Sequence, residues 1–374
     1  MKNLTLILAA TFLVACGNTE LVGGIDCAET YMLSLDEGVH DMSIASNGDL
    51  IAIAWHESGW PSHGRIAVFD PENPPDVLES TVIDSEAPDA WYPQILWENE
   101  NPVVFWTRIY GDDHVIAMAE YDLAAGKVSE PIELHRDLRL RLTQVTHHPE
   151  GEYGLVWETS REDDASLHAY FGRFSGTGDL ISLAELDEGH ASKSPRIEAN
   201  ANGYSVAFNR VVTSDGILQV MSRDYDLDSG FASFEPVSSD DSFYEIVGLA
   251  STDADQIVVW RDRFSGVYDF LYASFMVEDH MVNVQLDMMT DGIDTMSVPD
   301  ENVSRVSWCG MDPTTYEITL RTMSLTAPTL EMSVNDPGEG GCTMTRLVDR
   351  ADYPLVFWLD DTTKNLSYRS VCGM

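Results

Sequence analysis

PQILWENENPVVFWTRIYGDDHVIAMAEYDLAAGKVSEPIEL, Pro93–Leu134, is the stretch that decides the fold. Pro93–Trp97 runs into a polar turn at Glu98–Asn101, and Pro102–Trp106 follows as an unbroken apolar segment. The loop RIYGDD then leads to VIAMAEYD, which alternates apolar and polar residues, and an AAGK turn precedes VSEPIEL. Alternation marks a half-buried strand, and a short continuous apolar run between turns marks a strand covered on both faces. The stretch therefore predicts four strands, and the pattern recurs. Apolar runs end in an aromatic at IAIAW (Trp55), PVVFW (Trp106), YGLVW (Trp157), YSVAF (Phe208), QIVVW (Trp260), VSRVSW (Trp308) and YPLVFW (Trp358). The steps are 51, 51, 51, 52, 48 and 50 residues. A fixed period of about 40–50 residues built from short strands is the signature of a β-propeller. The expectation is an all-β, seven-bladed β-propeller of four-stranded antiparallel blades.

The ends of the chain predict how the ring closes. The last unit stops after its third strand, at Val371, whereas YMLSL (Tyr31–Leu35) precedes the first unit with no partner there. If Tyr31–Leu35 forms the outer strand of the last blade, the ring loses its exposed edge. That closure brings Cys27 beside Cys372, so a disulfide is expected between them. Cys309 follows the second strand of one unit and Cys342 opens the first strand of the next, which places a second bridge there. The alternative for either cysteine is a small buried hydrophobe.

MKNLTLILAATFLVAC, residues 1–16, has a basic residue, an apolar stretch too short to span a bilayer, and a small residue before Cys16. Leu13-Val14-Ala15-Cys16 resembles the lipobox of bacterial lipoproteins. The resemblance implies cleavage before Cys16 and acylation of that cysteine, with a membrane partner through the lipid anchor; several acyl chains hold a protein stably where one does not. The expected organisation is a signal peptide over 1–15, a lipidated tether over 16–30 and the propeller over 31–374. Gly17 after the cysteine resembles the outer-membrane sorting class, so the expected location is the cell envelope, facing either the periplasm or the surface.

Across its 374 residues the chain carries 63 acidic and 21 basic side chains, a net charge of −42. That balance repels nucleic acid and anionic lipid as partners, and it fits either a saline habitat or a face that binds cations. Acids crowd the loops after the aromatic residues and the connections between blades, which share one face of a propeller. Asp112, Asp113, Asp163 and Asp164 are the candidate calcium ligands, although no local spacing assembles a calcium loop. No other cofactor is indicated. A basic island, His135, Arg136, Arg139 and Arg141, shares that face with Trp91 and Tyr92. Arginines beside aromatics bind carboxylates or sugar rings, and they also pair with neighbouring acids. Trp60 in HESGWPSHG is a further candidate contact residue, and His56, Glu57 and His63 around it form a metal-ligand constellation without a recognised spacing. His147-His148 reads as a solvated turn.

Motifs for chemistry are missing from the sequence. There is no Asp-box of the sialidase type, no G-x-S-x-G, no H-E-x-x-H and no phosphate-binding glycine loop. WTRIYGDDHVIAMAEYD (Trp106–Asp122) and WRDRFSGVYDFLYASFM (Trp260–Met276) resemble the repeats of bacterial lipid-anchored surface propellers, a likeness that extends over residues 39–371. It implies fold and an exported location without a specific activity. The expected function is a non-catalytic envelope platform binding a protein or polysaccharide. The alternative is a carbohydrate-active hydrolase or lyase with its site in the central funnel. An Arg or His cluster with a pair of buried carboxylates along the channel would favour the enzyme.

Overall fold

Asn101–Tyr110 is a strand, paired antiparallel with Ala90–Glu98 on one edge and Asp113–Asp122 on the other, and Ile132–Leu138 adds the outer strand. The computed structural model describes residues 21–22, 25–26, 30–35, 39–57, 63–75, 77–86, 90–161, 164–212, 217–238, 244–251, 256–262, 269–277, 280–298, 303–311, 318–325, 342–350, 354–360 and 365–370. The first blade runs Val39–Ser46, Ile51–Glu57, Gly64–Phe69 and Thr81–Val82. The third runs Arg141–His148, Glu152–Arg161, Asp164–Ser175 and Leu180–Glu185. The fourth runs Ser192–Asn200, Gly203–Val211 and Leu218–Asp226, with Gly230–Phe231 and Glu235–Pro236 as a divided outer strand. No helix among the described residues is long and apolar enough to cross a membrane.

The ring has six blades, which corrects the expectation of seven. The repeats centred on Trp260 and Trp308 share one six-stranded sheet, joined through the uninterrupted strand His280–Val298. Its first half pairs with Asp269–Val277 and its second half with Val303–Met311. The step between these two aromatics, 48 residues, is the shortest of the series. The linking segment DMMTDGID (287–294) has no proline and one glycine, so nothing stops the extended backbone from running on. Register shifts around Asp291 are what remain of the boundary.

Closure occurs as the chain ends predict. Tyr31–Leu33 pairs antiparallel with Leu366–Ser370, completing the sheet begun by Cys342–Val348 and Leu355–Asp360. A hydrophobic cluster then spans the first and last blades, from Met42, Ile53 and Trp55 to Leu355, Phe357 and Tyr368. Polar links cross the same seam: Arg346 Nε donates to the Met42 carbonyl at 2.8 Å, and the buried Tyr368 hydroxyl donates to Pro71 O at 2.9 Å.

Period-2 alternation in the second strands sorts side chains between two neighbours. Each repeat aromatic packs on the blade before it: Trp106 against Ala54 and Ile66, Trp157 against Phe105 and Ile116, Phe208 against Phe171, and Trp260 against Val220. The next residue reaches the blade after it. Thr107 Oγ1 accepts from Leu142 N–H at 3.1 Å, the Glu158 carboxylate accepts from Ser194 N–H, and Asn209 Oδ1 accepts from Ile246 N–H at 3.0 Å. Cys309 follows the same rule covalently, bonded to Cys342 with a Cα–Cα distance of 5.6 Å. The expected Cys309–Cys342 bridge is thus present, while Cys27, Cys372 and the lipidation residue Cys16 lie outside the described residues. Close approach between blades also fixes Gly154, where a Cβ would sit 2.5 Å from the Tyr204 ring.

The buried indole N–H groups of Trp55, Trp106 and Trp157 have no hydrogen-bond partner among the described residues, so the rings serve by volume. Replacing Trp157 by Phe is expected to cost no more than about 2 kcal/mol, whereas Trp157→Ala should cost about 3–5 kcal/mol. Urea unfolding of the two variants measures the difference; equal losses would show that the indole itself is required.

Candidate functional site

The first strand of each blade, together with the second half of His280–Val298, packs against its counterpart in the next blade around the centre of the ring. Equivalent side chains on these inner strands are recognisable from their hydrogen bonds. Ser43 Oγ accepts from Ile95 N–H at 3.1 Å, Gln144 Oε1 from Ile197 N–H at 3.1 Å, and Asp294 Oδ2 from Leu347 N–H at 2.7 Å. Gln94, Arg196 and Arg346 each donate to the carbonyl of the residue before them, at 3.1, 3.0 and 2.7 Å. The inner ring is therefore polar, and it carries two guanidiniums and a carboxylate.

Electrostatics couple these groups to their surroundings. Burial, with the guanidiniums of Arg346 and Arg141 nearby, pushes the Arg196 pKa below the usual arginine range, against the pull of Glu158 and Glu245. Burial holds Asp294 above the usual carboxylate range, opposed by Arg346, by the N–H groups of Leu347 and Thr295, and by Arg196. Glu158 is 5% exposed, and Arg261 Nε donates to Glu245 at 2.9 Å. Four arginines, Arg141, Arg196, Arg261 and Arg346, thus lie among the carboxylates of Glu158, Glu245 and Asp294, with Arg261 held by Glu245.

Inner strands bulge close to where they enter the ring, with register shifts at Val39/Asp41, Trp91/Gln94, Leu142/Gln144, Lys193/Arg196, Ile246/Gly248 and Cys342/Met344. Bulges re-aim side chains and recur beside active sites. Tyr92 and Ser194 occupy bulges with positive φ, 54° and 52°, each before a proline. In this setting Tyr92 presents its ring to Arg141, whose guanidinium carbon lies 4.4 Å from the ring centroid. Trp91 continues the aromatic surface, its ring 5.9 Å from Tyr92 and 4.2 Å from His56.

The sequence candidates divide accordingly. Trp91, Tyr92 and Arg141 come together at the channel mouth. Arg136 and Arg139 stay on the outer part of the face, where Arg136 pairs with Glu133 at 3.1 Å and Asp113 at 3.8 Å, and Arg139 pairs with Asp112 at 3.4 Å. Asp112 and Asp113 therefore meet arginines. Trp60 and Asp163 lie outside the described residues, as does the side chain of Asp164. His135 is half-buried, its ring 5.0 Å from that of Trp157, and burial lowers its pKa against the pull of Asp137. His147-His148 is no solvated turn: it ends the strand Arg141–His148, and His148 is 3% exposed, 5.5 Å from the Tyr204 ring. The strand takes in both histidines and sends them to opposite sides: His147 Nε2 lies 3.8 Å from Glu98 of the preceding blade, whereas His148 packs against the next. Of the constellation His56, Glu57 and His63, Glu57 is taken by Arg65, and the ligating atoms that converge with His56 are those of His40 and Asp41.

Arg196, Arg346, Glu158, Glu245 and Asp294 were missed as site residues because they share no contiguous motif. The signal was available in part: Glu158 directly follows a repeat aromatic, the position that faces the next blade.

No family model matches the chain, and no curated protein matches its sequence. Among solved structures it is similar to the β-propeller domain of the Trilobed protease from Pyrococcus furiosus, with a TM-score of 0.57 and 10% identity over 90% of this chain and 97% of that one. It is also similar to polysaccharide lyase Uly1, with a TM-score of 0.58 and 7% identity over 90% of each chain. An ancestral GH74 enzyme gives a TM-score of 0.56 and 12% identity over 90% of this chain, which spans 48% of that one. At these identities the likeness is one of fold: the chain is a β-propeller.

Not every arginine on this face is free for a ligand. Arg108 and Asp84 form a pair with side chains 9% and 2% exposed, so Arg108→Ala strands a buried carboxylate without its guanidinium and should cost about 3–5 kcal/mol. Arg136 is 49% exposed, and Arg136→Ala should change stability by less than about 1 kcal/mol. Chemical denaturation of both variants checks the contrast.

Proposed function

We propose that the protein is a polysaccharide-binding propeller held at the cell envelope, with its ligand seated at the mouth of the central channel. One observation carries this reading: the Tyr92–Arg141 stack stands beside the cluster of Arg196, Arg346, Glu158, Glu245 and Asp294. Aromatic faces take the apolar face of a sugar ring, while convergent donors and acceptors take its hydroxyls. The surrounding chain, at −42, repels polyanions. A neutral glycan suits this site better than an anionic one. The lipobox-like Leu13–Cys16 supports attachment of the ring to a membrane by its N-terminal tether.

A second reading, a carbohydrate-active hydrolase or lyase, draws support from Asp294. Asp294, held above the ordinary carboxylate range, and the buried Glu158 both act on the Arg196 guanidinium, and they offer the two carboxyl groups that glycoside hydrolysis uses. Fold likeness to a GH74 enzyme and to a polysaccharide lyase is consistent with it and adds no residue-level argument.

Affinity electrophoresis against a panel of neutral and anionic polysaccharides tests the proposal. A neutral glycan should retard the protein, and Arg141→Ala and Tyr92→Asn should each weaken that retardation about tenfold, asparagine being tolerated at positive φ. New chain ends in the polysaccharide, lost in both Glu158→Gln and Asp294→Asn, would establish the enzyme instead. Retardation by no glycan, without new chain ends, overturns both. Separately, metabolic labelling with a radioactive fatty acid should mark the wild-type chain in a bacterial host and leave Cys16→Ala unlabelled; equal labelling would place the lipid elsewhere.

A further inference from the structure

Three ligating side chains meet on the rim of the first blade, beside the channel mouth. Asp41 and His56 face each other as cross-strand partners between Val39–Ser46 and Ile51–Glu57. Successive residues of a strand normally point to opposite faces, so His40 and Asp41 should diverge. The register shift between Val39 and Asp41 breaks that alternation and turns both towards His56. One ligand atom from each of His40, Asp41 and His56 then lies within 4.8 Å of the other two. His40 Nδ1 is 3.4 Å from Asp41 Oδ2, and the two imidazole centroids are 5.9 Å apart. Asp41 Oδ2 is shielded from solvent and accepts no hydrogen bond among the described residues. Trp91 walls the group on one side, its ring 4.2 Å from that of His56 and 6.4 Å from that of His40.

We propose that His40, Asp41 and His56 bind a divalent transition-metal ion, of which Zn²⁺ is the representative. Two imidazoles and one carboxylate match the ligand preference of zinc, whereas calcium and magnesium take oxygen donors almost exclusively. Three protein ligands leave a coordination position for water or for a ligand's oxygen, as in zinc sites that are not purely structural. The aromatic wall lowers the local dielectric and shields the ion on that side. Glu57, the acid next in sequence to His56, is excluded from the set by its pairing with Arg65. The site stands independently of polysaccharide binding.

The test is a titration of tag-free, metal-stripped protein with Zn²⁺ by calorimetry, with bound metal quantified after equilibrium dialysis. One equivalent should bind with a Kd on the order of micromolar or tighter, and an excess of Ca²⁺ should leave it in place. His40→Ala is the decisive variant because the His40 side chain is 60% exposed, so its removal takes little packing with it. It should weaken binding by at least about 10–100-fold, the loss seen when even an outer-shell partner of a metal site is removed. Asp41→Asn should weaken binding similarly, with the melting temperature of both metal-free variants at the wild-type value. The proposal is overturned by any of three results: no saturable uptake, uptake in His40→Ala equal to wild type, or displacement of zinc by calcium.

Discussion

Everything in this ring depends on one constraint, that the second strand of each blade must satisfy two neighbours at once. Its side chains alternate between faces, so one set packs on the preceding blade and the other on the following one. The repeat aromatic fills the first role by volume, as Trp106, Trp157 and Phe208 show by packing into the blade before them. The residue after it fills the second role by chemistry that varies from blade to blade: a hydroxyl at Thr107, a carboxylate at Glu158, an amide at Asn209, a disulfide at Cys309 and a ring contact at His56. Packing is repeated and linkage is individual.

This division explains where specificity is built. The inner strands bulge at their entry, and there the polar links between blades come close to the channel. Ion pairs hold most of the charged face in place: Arg65 with Glu57, Arg108 with Asp84, Arg210 with Asp187, and Arg261 with Glu245. What stays available towards the centre is the mixed cluster around Arg196, Arg346 and Asp294, with the aromatic ledge of Trp91 and Tyr92 at its edge. A net charge of −42 therefore coexists with a centre that carries guanidiniums beside its carboxylates.

The repeat was legible in the sequence because it rests on local patterns, alternation and turn chemistry, that need no partner to be recognised. Closure by Tyr31–Leu33 was legible for a related reason: a ring cannot leave its last blade one strand short. The blade count was not. Whether 287–294 turns or runs straight depends on the pairing available to it on both edges, and a single glycine is a weak signal for a break. The site was half legible. Trp91, Tyr92 and Arg141 stood out as unusual residues on a known face, whereas Arg196 and Arg346 look like ordinary strand residues until the ring brings them together.

The sequence by itself determined the strand pattern, the buried aromatic of each repeat and the strand that closes the ring, since each follows from side-chain periodicity and chain connectivity. Tertiary structure alone decided the merging of two repeats into one sheet, the burial of His148, the engagement of Arg136 and Arg139 by Asp113 and Asp112, and the meeting of His40 and Asp41 with His56. The physical reason is that these depend on register shifts and on distances across blades, and a one-residue bulge that turns a side chain to the other face leaves no mark in the local sequence.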